Sequence, residues 1–254
     1  MNTHTRQNQY PDEVTIDGTI YQFEKVLKED FFSVNILYKG ANNKRFVLKI
    51  SDFRFIFGFM LRPLAVFFSK REYALYNELK DVEYVPSVGP RYGKNGFFHA
   101  YIEGKTLHEI TPDSPLPDDF FERLKTIIDE LHKRRIFYLD LNKLGNILVS
   151  NDMSPYLIDF QISMPFKRRN GLIGKLTDHI FNLLVKEDIY HIYKHKKRFK
   201  PYILTEQEDK LTKKTILNTW YDRLFGTPYR KIKRLIYPKG SNEIIWYNWK
   251  KRKK

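Results

Sequence analysis

The sequence predicts an α+β fold in two lobes, a small antiparallel β-sheet followed by a mostly helical C-terminal half. Three observations carry this expectation. Residues 21–27, 33–38 and 45–50 are strand-like runs, with turn chemistry at 39–43 where Gly40, Asn42 and Asn43 cluster. From residue 118 onward, apolar residues recur mainly at helical spacing. Within that second half, residues 136–163 read as a loop that holds Asp140 and Asn146 followed by a hairpin of short apolar strands, the second of which ends at Asp159.

The chain has 254 residues, of which 42% are hydrophobic, enough for one bilobal domain with a core and unlike a disordered chain. It contains no cysteine, which excludes disulfides and thiolate metal sites and agrees with a reducing compartment. The first ten residues are polar, without the apolar stretch of a signal peptide, so the expected location is cytoplasmic. The net charge is +15, and residues 227–254 hold ten Lys or Arg against the single acid Glu243. Such a basic end points to an anionic partner.

Taken in order, residues 1–20 are expected to be a flexible lead, 21–101 an N-terminal lobe, 102–226 a C-terminal lobe, and 227–254 a basic aromatic tail. In the third strand Lys49 alternates with Val47, so the two share a face while Leu48 and Ile50 take the other. A strand lysine ordinarily faces solvent. Residues 53–68 form an apolar run, interrupted by Arg54, Gly58, Arg62 and Pro63, that is too short to span a bilayer. It reads as a partly helical segment packed on the small lobe, with a membrane-interface segment as the alternative. Ser69 is placed to cap a helix over 70–80, whose Glu72, Leu75, Tyr76 and Leu79 share a face; Glu78 lies off it.

Residues 96–102 predict another strand, running into a link between the lobes at Glu103 and Gly104. A helix over 118–134 follows Pro117, with Phe121, Leu124, Ile127, Ile128 and Leu131 as its buried stripe. Later, 175–194 is helical with Leu176, Ile180, Leu183, Leu184 and Ile189 among charges, and Thr205 to Glu208 is a capping-box signature. No internal repeat or low-complexity tract interrupts the pattern.

The ordered set of Val47, Leu48 and Lys49, then Glu72, then Tyr101, Ile102, Glu103 and Gly104, then Asp140 with Asn146, then Ile158, Asp159, Phe160 and Gln161 resembles the protein-kinase-like superfamily. Within it the chain is most similar to the bacterial lipopolysaccharide kinases, which phosphorylate Kdo or core heptose, and to small RIO-like kinases. The resemblance implies a bilobal kinase-like fold that uses ATP and Mg²⁺, with Mn²⁺ as a substitute. It implies that Lys49 contacts the α and β phosphates, held by Glu72 and assisted by Lys28. The link residues Tyr101, Ile102 and Glu103 would meet the adenine edge through their backbone. Asp140 would orient or deprotonate the acceptor hydroxyl, and Asn146 and Asp159 would bind the metal. The favoured acceptor is a lipopolysaccharide-type sugar or glycolipid at the inner membrane face. A RIO-like protein kinase, and a catalytically silent scaffold that binds nucleic acid, are the alternatives.

The chain departs from the superfamily pattern in several places. No G-x-G-x-x-G lies between the first two strands, where Lys28, Glu29, Asp30, Phe31, Phe32 and Ser33 stand instead. Tyr138 and Leu139 precede Asp140 in place of H-R, no A-P-E follows, and Gln161 replaces the glycine of D-F-G. Asn146 is one position farther from Asp140 than usual. Control by activation-loop phosphorylation is therefore not expected. Two further constellations stand apart. His191 and His195 have the i, i+4 spacing of zinc ligands but lack the glutamate of H-E-x-x-H, which favours a packing role. The tail interleaves Tyr229, Tyr237, Trp246, Tyr247 and Trp249 with its bases, a composition suited to anionic lipid, to RNA, or to a solvated basic end.

Overall fold

A computed structural model describes residues 10–29, 32–41, 43–51 and 58–213, with only the backbone described at 58–61. The lead at 1–9, residues 53–57 of the apolar run, the last part of the C-terminal lobe at 214–226 and the basic tail at 227–254 lie outside the described residues.

Six strands, β1 (Glu13–Ile16), β2 (Thr19–Glu29), β3 (Ser33–Gly40), β4 (Arg45–Ser51), β5 (Val88–Tyr92) and β6 (Gly96–Ala100), make one antiparallel sheet in the order β1-β2-β3-β4-β6-β5. Helix α1 (Gly58–Glu78) packs on it between β4 and β5. Two differences from expectation appear here. Residues 10–20 are not all part of a flexible lead: Val14 and Ile16 alternate inward from β1 and join Tyr10, Tyr21 and Tyr38 in the core of the sheet lobe. The turn that makes this possible carries Asp17 and Gly18, both with positive φ, a two-residue hairpin signal. Nor does a new helix start at Ser69. The helix runs through Pro63, and Ser69 is buried within it, its carbonyl and hydroxyl both accepting hydrogen bonds from Arg91.

The chain leaves β6 through residues 101–103 and enters β7 (Gly104–Thr106). Helix α2 (Phe120–Lys133) then leads into β8 (Ile136–Phe137), and β9 (Ile147–Ser150) and β10 (Pro155–Leu157) form the predicted hairpin. After β11 (Met164–Pro165), which pairs with β8, come α3 (Gly171–Phe199) and the short α4 (Glu206–Leu211). The Thr205 capping box is present, with Thr205 Oγ1 accepting from Glu208 N and the Glu208 carboxylate accepting from Thr205 N. The α2 stripe is buried as its periodicity requires, and with Leu75 and Tyr76 of α1, Leu79 just after it, Ile147 of β9 and Ile192 of α3 it forms the larger core. The α3 stripe differs: Leu176 and Ile180 are exposed, and the buried apolar side chains are Phe181 and, toward the other end, Tyr190, Ile192, Tyr193 and Phe199.

The link and the hairpin are fastened together. Strand β7 pairs with β9, Gly104 facing Ser150, and the Asn151 N–H donates to the Glu103 carbonyl. Gly104 has φ +155°, and a Cβ there would stand 2.1 Å from the Val149 carbonyl oxygen. Gly104→Ala should therefore destabilise the protein by about 1–3 kcal/mol, lowering the melting temperature by several degrees in a thermal melt followed by circular dichroism. An unchanged melting temperature would contradict this close approach.

Candidate functional site

The β9–β10 register sets the lower half of the site. Ile147 pairs with Leu157, and the Ile158 N–H donates to the Asn146 carbonyl, which brings the residue before β9 beside the residue after Ile158. Asn146 and Asp159 thereby become neighbours. Asn146 closes a 3₁₀ turn over Leu144–Asn146, and its Nδ2 donates to Asp140 Oδ2 at 2.9 Å. Lys143 Nζ donates to the same oxygen at 2.6 Å. Burial pushes the Asp140 carboxyl up, while Lys143 and the Asn146 hydrogen bond act against that rise.

Lys49 and Glu72 supply the upper half. Val47 and Lys49 line the cleft from β4 while Leu48 and Ile50 turn into the sheet-lobe core, the alternation the sequence predicts. Lys49 Nζ donates to Glu72 Oε1 at 2.7 Å and to Asp159 Oδ1 at 2.8 Å. Lys49 and Glu72 are fully buried. Burial alone would lower the lysine's affinity for its proton, but Asp159 and Glu72 outweigh it and keep Lys49 cationic. Burial likewise works against the Asp159 charge, and Lys49 with Lys28 overcomes it, so the carboxylate is held well below its usual range. Glu72 is pushed up to about 7 by burial, against the pull of Lys49.

These groups face one cleft of about 330 Å³ between the lobes. Lys28, Tyr101 and Ile102 line it too, and Lys28 Nζ lies 4.0 Å from Asp159 Oδ2. Glu103 turns its side chain the other way, to an ion pair with Arg45. His99 lines the back of the cleft, stacked on Tyr76 with centroids 5.6 Å apart, and burial lowers its pKa to about 4. It is therefore neutral at pH 7, and its Nδ1–H donates to the Ala100 carbonyl at 3.0 Å. Leu139 and Asp159 are two of the seven non-glycine residues with positive φ among the described residues, at 70° and 67°, so each segment that carries an acid of the site holds one strained residue.

Helix α3 holds the Asp140 loop from below, a role the sequence reading did not assign. Asp188 Oδ2 accepts from the Tyr138 N–H and pairs with His132 Nε2, both at 3.0 Å. His195 is buried and neutral, its pKa lowered to about 4 by burial, and its Nε2–H donates to the Leu141 carbonyl at 2.9 Å. Lys194 Nζ donates to Asn142 Oδ1 at 2.9 Å. The signal for Asp188 was an acid four residues from Leu184 and four from Ile192, on the apolar side of its helix. Above the loop, Tyr76 packs edge-on to Phe160 and Arg71 donates to the Gln161 carbonyl at 2.7 Å, tying α1 to the segment after Asp159.

The donor set suits a hard cation. Asp159 offers carboxylate oxygens, and Asn146, whose Nδ2 is engaged with Asp140, presents its amide oxygen. Among the described residues no cluster of three or more His, Asp or Glu side chains could hold a metal by itself.

The sequence matches no family model and no curated protein. Among solved structures the chain is similar to the Rio2 kinase of Chaetomium thermophilum, solved as an ADP/Mg²⁺-phosphoaspartate complex. The TM-score is 0.53 at 16% identity, covering 84% of this chain and 69% of that one. The architecture is thus the bilobal protein-kinase-like fold.

The buried triad makes a direct prediction. With ¹³C in the Glu72 side-chain carboxyl, NMR should show titration near pH 7, and Lys49→Met should move it higher because the cation that favours the ionised form is gone. Titration in the ordinary range near 4.3 would contradict the burial described here.

Proposed function

We propose that the protein is an ATP-dependent phosphotransferase that moves the γ-phosphoryl group to a hydroxyl. The observation that carries this reading is the convergence of Lys49, Glu72 and Asp159 with Asp140 and Asn146 on one interlobe cleft of a kinase-like fold. Lys49, kept cationic by two carboxylates, suits contact with nucleotide phosphates, with Lys28 at the cleft mouth as a second cation. At the link the Ala100 and Tyr101 N–H groups already donate to the Ser87 and Arg45 carbonyls, so the backbone that would meet the adenine edge is that from the Tyr101 carbonyl through Ile102 to Glu103. Asp140 suits the acceptor side: its carboxylate can take the hydroxyl proton as the oxygen attacks, while Asn146 and Lys143 fix its orientation. Asp159 and Asn146 are the residues that would hold Mg²⁺, or Mn²⁺ in its place, and the ion would supply charge neutralisation of the phosphates.

For the acceptor we favour a lipopolysaccharide-type sugar or a glycolipid, reached at an anionic membrane face that the basic tail at 227–254 would help to engage. This part rests on the sequence resemblance. The second reading, a RIO-like Ser/Thr protein kinase, is favoured by the likeness in fold to the Rio2 kinase, which was solved as an ADP/Mg²⁺-phosphoaspartate complex.

With γ-labelled ATP and separated lipid, sugar and protein fractions of cell extract, label should pass to the sugar or lipid fraction in a Mg²⁺-dependent way. Asp140→Asn should lower that rate by about 10²–10⁴-fold while Mg-ATP still binds. Absence of Mg-ATP binding, or an Asp140→Asn variant as fast as wild type, would sink the assignment. Label in the protein fraction would favour the second reading.

A further inference from the structure

The N-terminal half of α3 has an apolar face that the described residues leave bare. Leu172 is 84% exposed, Ile173 60%, Leu176 60% and Ile180 41%. Their spacing puts them on one side of the helix. Just before them Ile162 and Met164 are also exposed. Basic groups rim this face: Lys167, Arg168 and Arg169 precede the helix, Lys175 lies within it, and all four are exposed. A Cβ on Gly174 would stand 2.0 Å from the Arg169 carbonyl, so the glycine lets the basic segment lie directly against the first turns of the helix. Between residues 162 and 182 the one acid is Asp178, and it is paired with Arg135 at 2.6 Å.

We infer that this face is a docking surface for the interfacial zone of an anionic lipid bilayer. A helix that joins aliphatic side chains to a rim of Lys and Arg lowers its free energy most where acyl chains and anionic headgroups meet. The charge argues against other occupants. A second copy docked through the same face would bring two such basic clusters together, and residues 227–254 of the chain itself carry ten bases against one acid. Nucleic acid is disfavoured because the exposed face is aliphatic, whereas single strands are bound through aromatic stacking. Nor does the helix cross the bilayer: among the described residues none is long and apolar enough.

The position of the face gives the docking a consequence. Strand β11, which carries Met164, pairs with β8, and β8 runs directly into the Asp140 loop. Arg135 fastens the same edge, its side chain donating to the Phe166 carbonyl at 3.0 Å and to Asp178. On the α1 side the Arg71 guanidinium, which bonds Gln161, lies 5.8 Å from the centroid of the exposed Phe67 ring. Membrane contact through α3 thus sets the bilayer beside the lobe edge that carries Asp140. The inference extends the membrane part of the proposed function to a second surface, and it is separable because its test leaves the tail intact.

Flotation of the full chain with phosphatidylcholine vesicles containing about one-third phosphatidylglycerol tests it. Wild type should float with these vesicles and far less with pure phosphatidylcholine. Leu172→Glu with Leu176→Glu should reduce binding at least about tenfold, as should Lys167→Glu with Arg168→Glu, with melting temperature unchanged because the altered side chains are exposed. Binding equal to wild type would overturn the inference, since the tail alone would then account for it. So would a marked fall in melting temperature on the leucine changes, a wild-type dimer that those changes split, or loss of RNA binding in place of vesicle binding.

Discussion

The contact on which the rest of the molecule depends is the buried lysine between two carboxylates. Lys49, Glu72 and Asp159 come from β4, α1 and the loop after β10, and the lysine lies 23 and 110 residues from its partners. Taking such charges out of water costs several kcal/mol each, and removing one partner of a buried pair typically costs about 3–5 kcal/mol. The sheet, the long helix and the hairpin must therefore arrive together. The larger core follows the same line, running from Leu75 and Tyr76 of α1 and the adjoining Leu79 through Phe160 to α2 and α3, so the lobes share apolar packing at the point where they share charge. A lysine shared between two carboxylates in a cleft beside Lys28 is also an arrangement suited to exchange, because a cation at Asp159 would release Lys49 to bind phosphate.

Much of this was legible in the residues because the signals were local. Alternation placed Lys49 opposite Leu48, helical spacing placed Glu72 with Leu75, Tyr76 and Leu79, and a polar turn between two short apolar runs put Asn146 beside Asp159. The parts that escaped depend on distant contacts. The spacing of Asp188 to Leu184 and Ile192 marks it as inward-facing, but does not say that it and His195 hold the backbone at Tyr138 and Leu141, since each acts on residues about fifty positions away. Pro63 and Ser69 look like boundary residues, yet α1 continues past both because its buried side and the Arg91 hydrogen bonds sustain it. Strand β1 lies in a stretch whose sequence predicts only a flexible lead, because a four-residue strand with two inward side chains carries little pattern of its own.

The α3 stripe shows where periodicity misleads. Helical spacing of apolar residues says that they share a face, not what covers it. In α2 the covering is the rest of the lobe. In the first half of α3 it is absent among the described residues, and the flanking bases give the face a different character from a core stripe. One helix thus serves two ends, with Asp188 and His195 fixing the Asp140 loop while Leu172 and Leu176 face outward.

The central claim is that the triad is the phosphate-binding half of a nucleotide site. A crystal structure of the protein with Mg²⁺ and a non-hydrolysable ATP analogue tests it most directly. The predicted result is the analogue in the interlobe cleft with a non-bridging phosphate oxygen at hydrogen-bonding distance from Lys49, which keeps Glu72 and gives up Asp159 to the metal. A nucleotide bound elsewhere, or one in the cleft while Lys49 retains both carboxylates, would contradict the account.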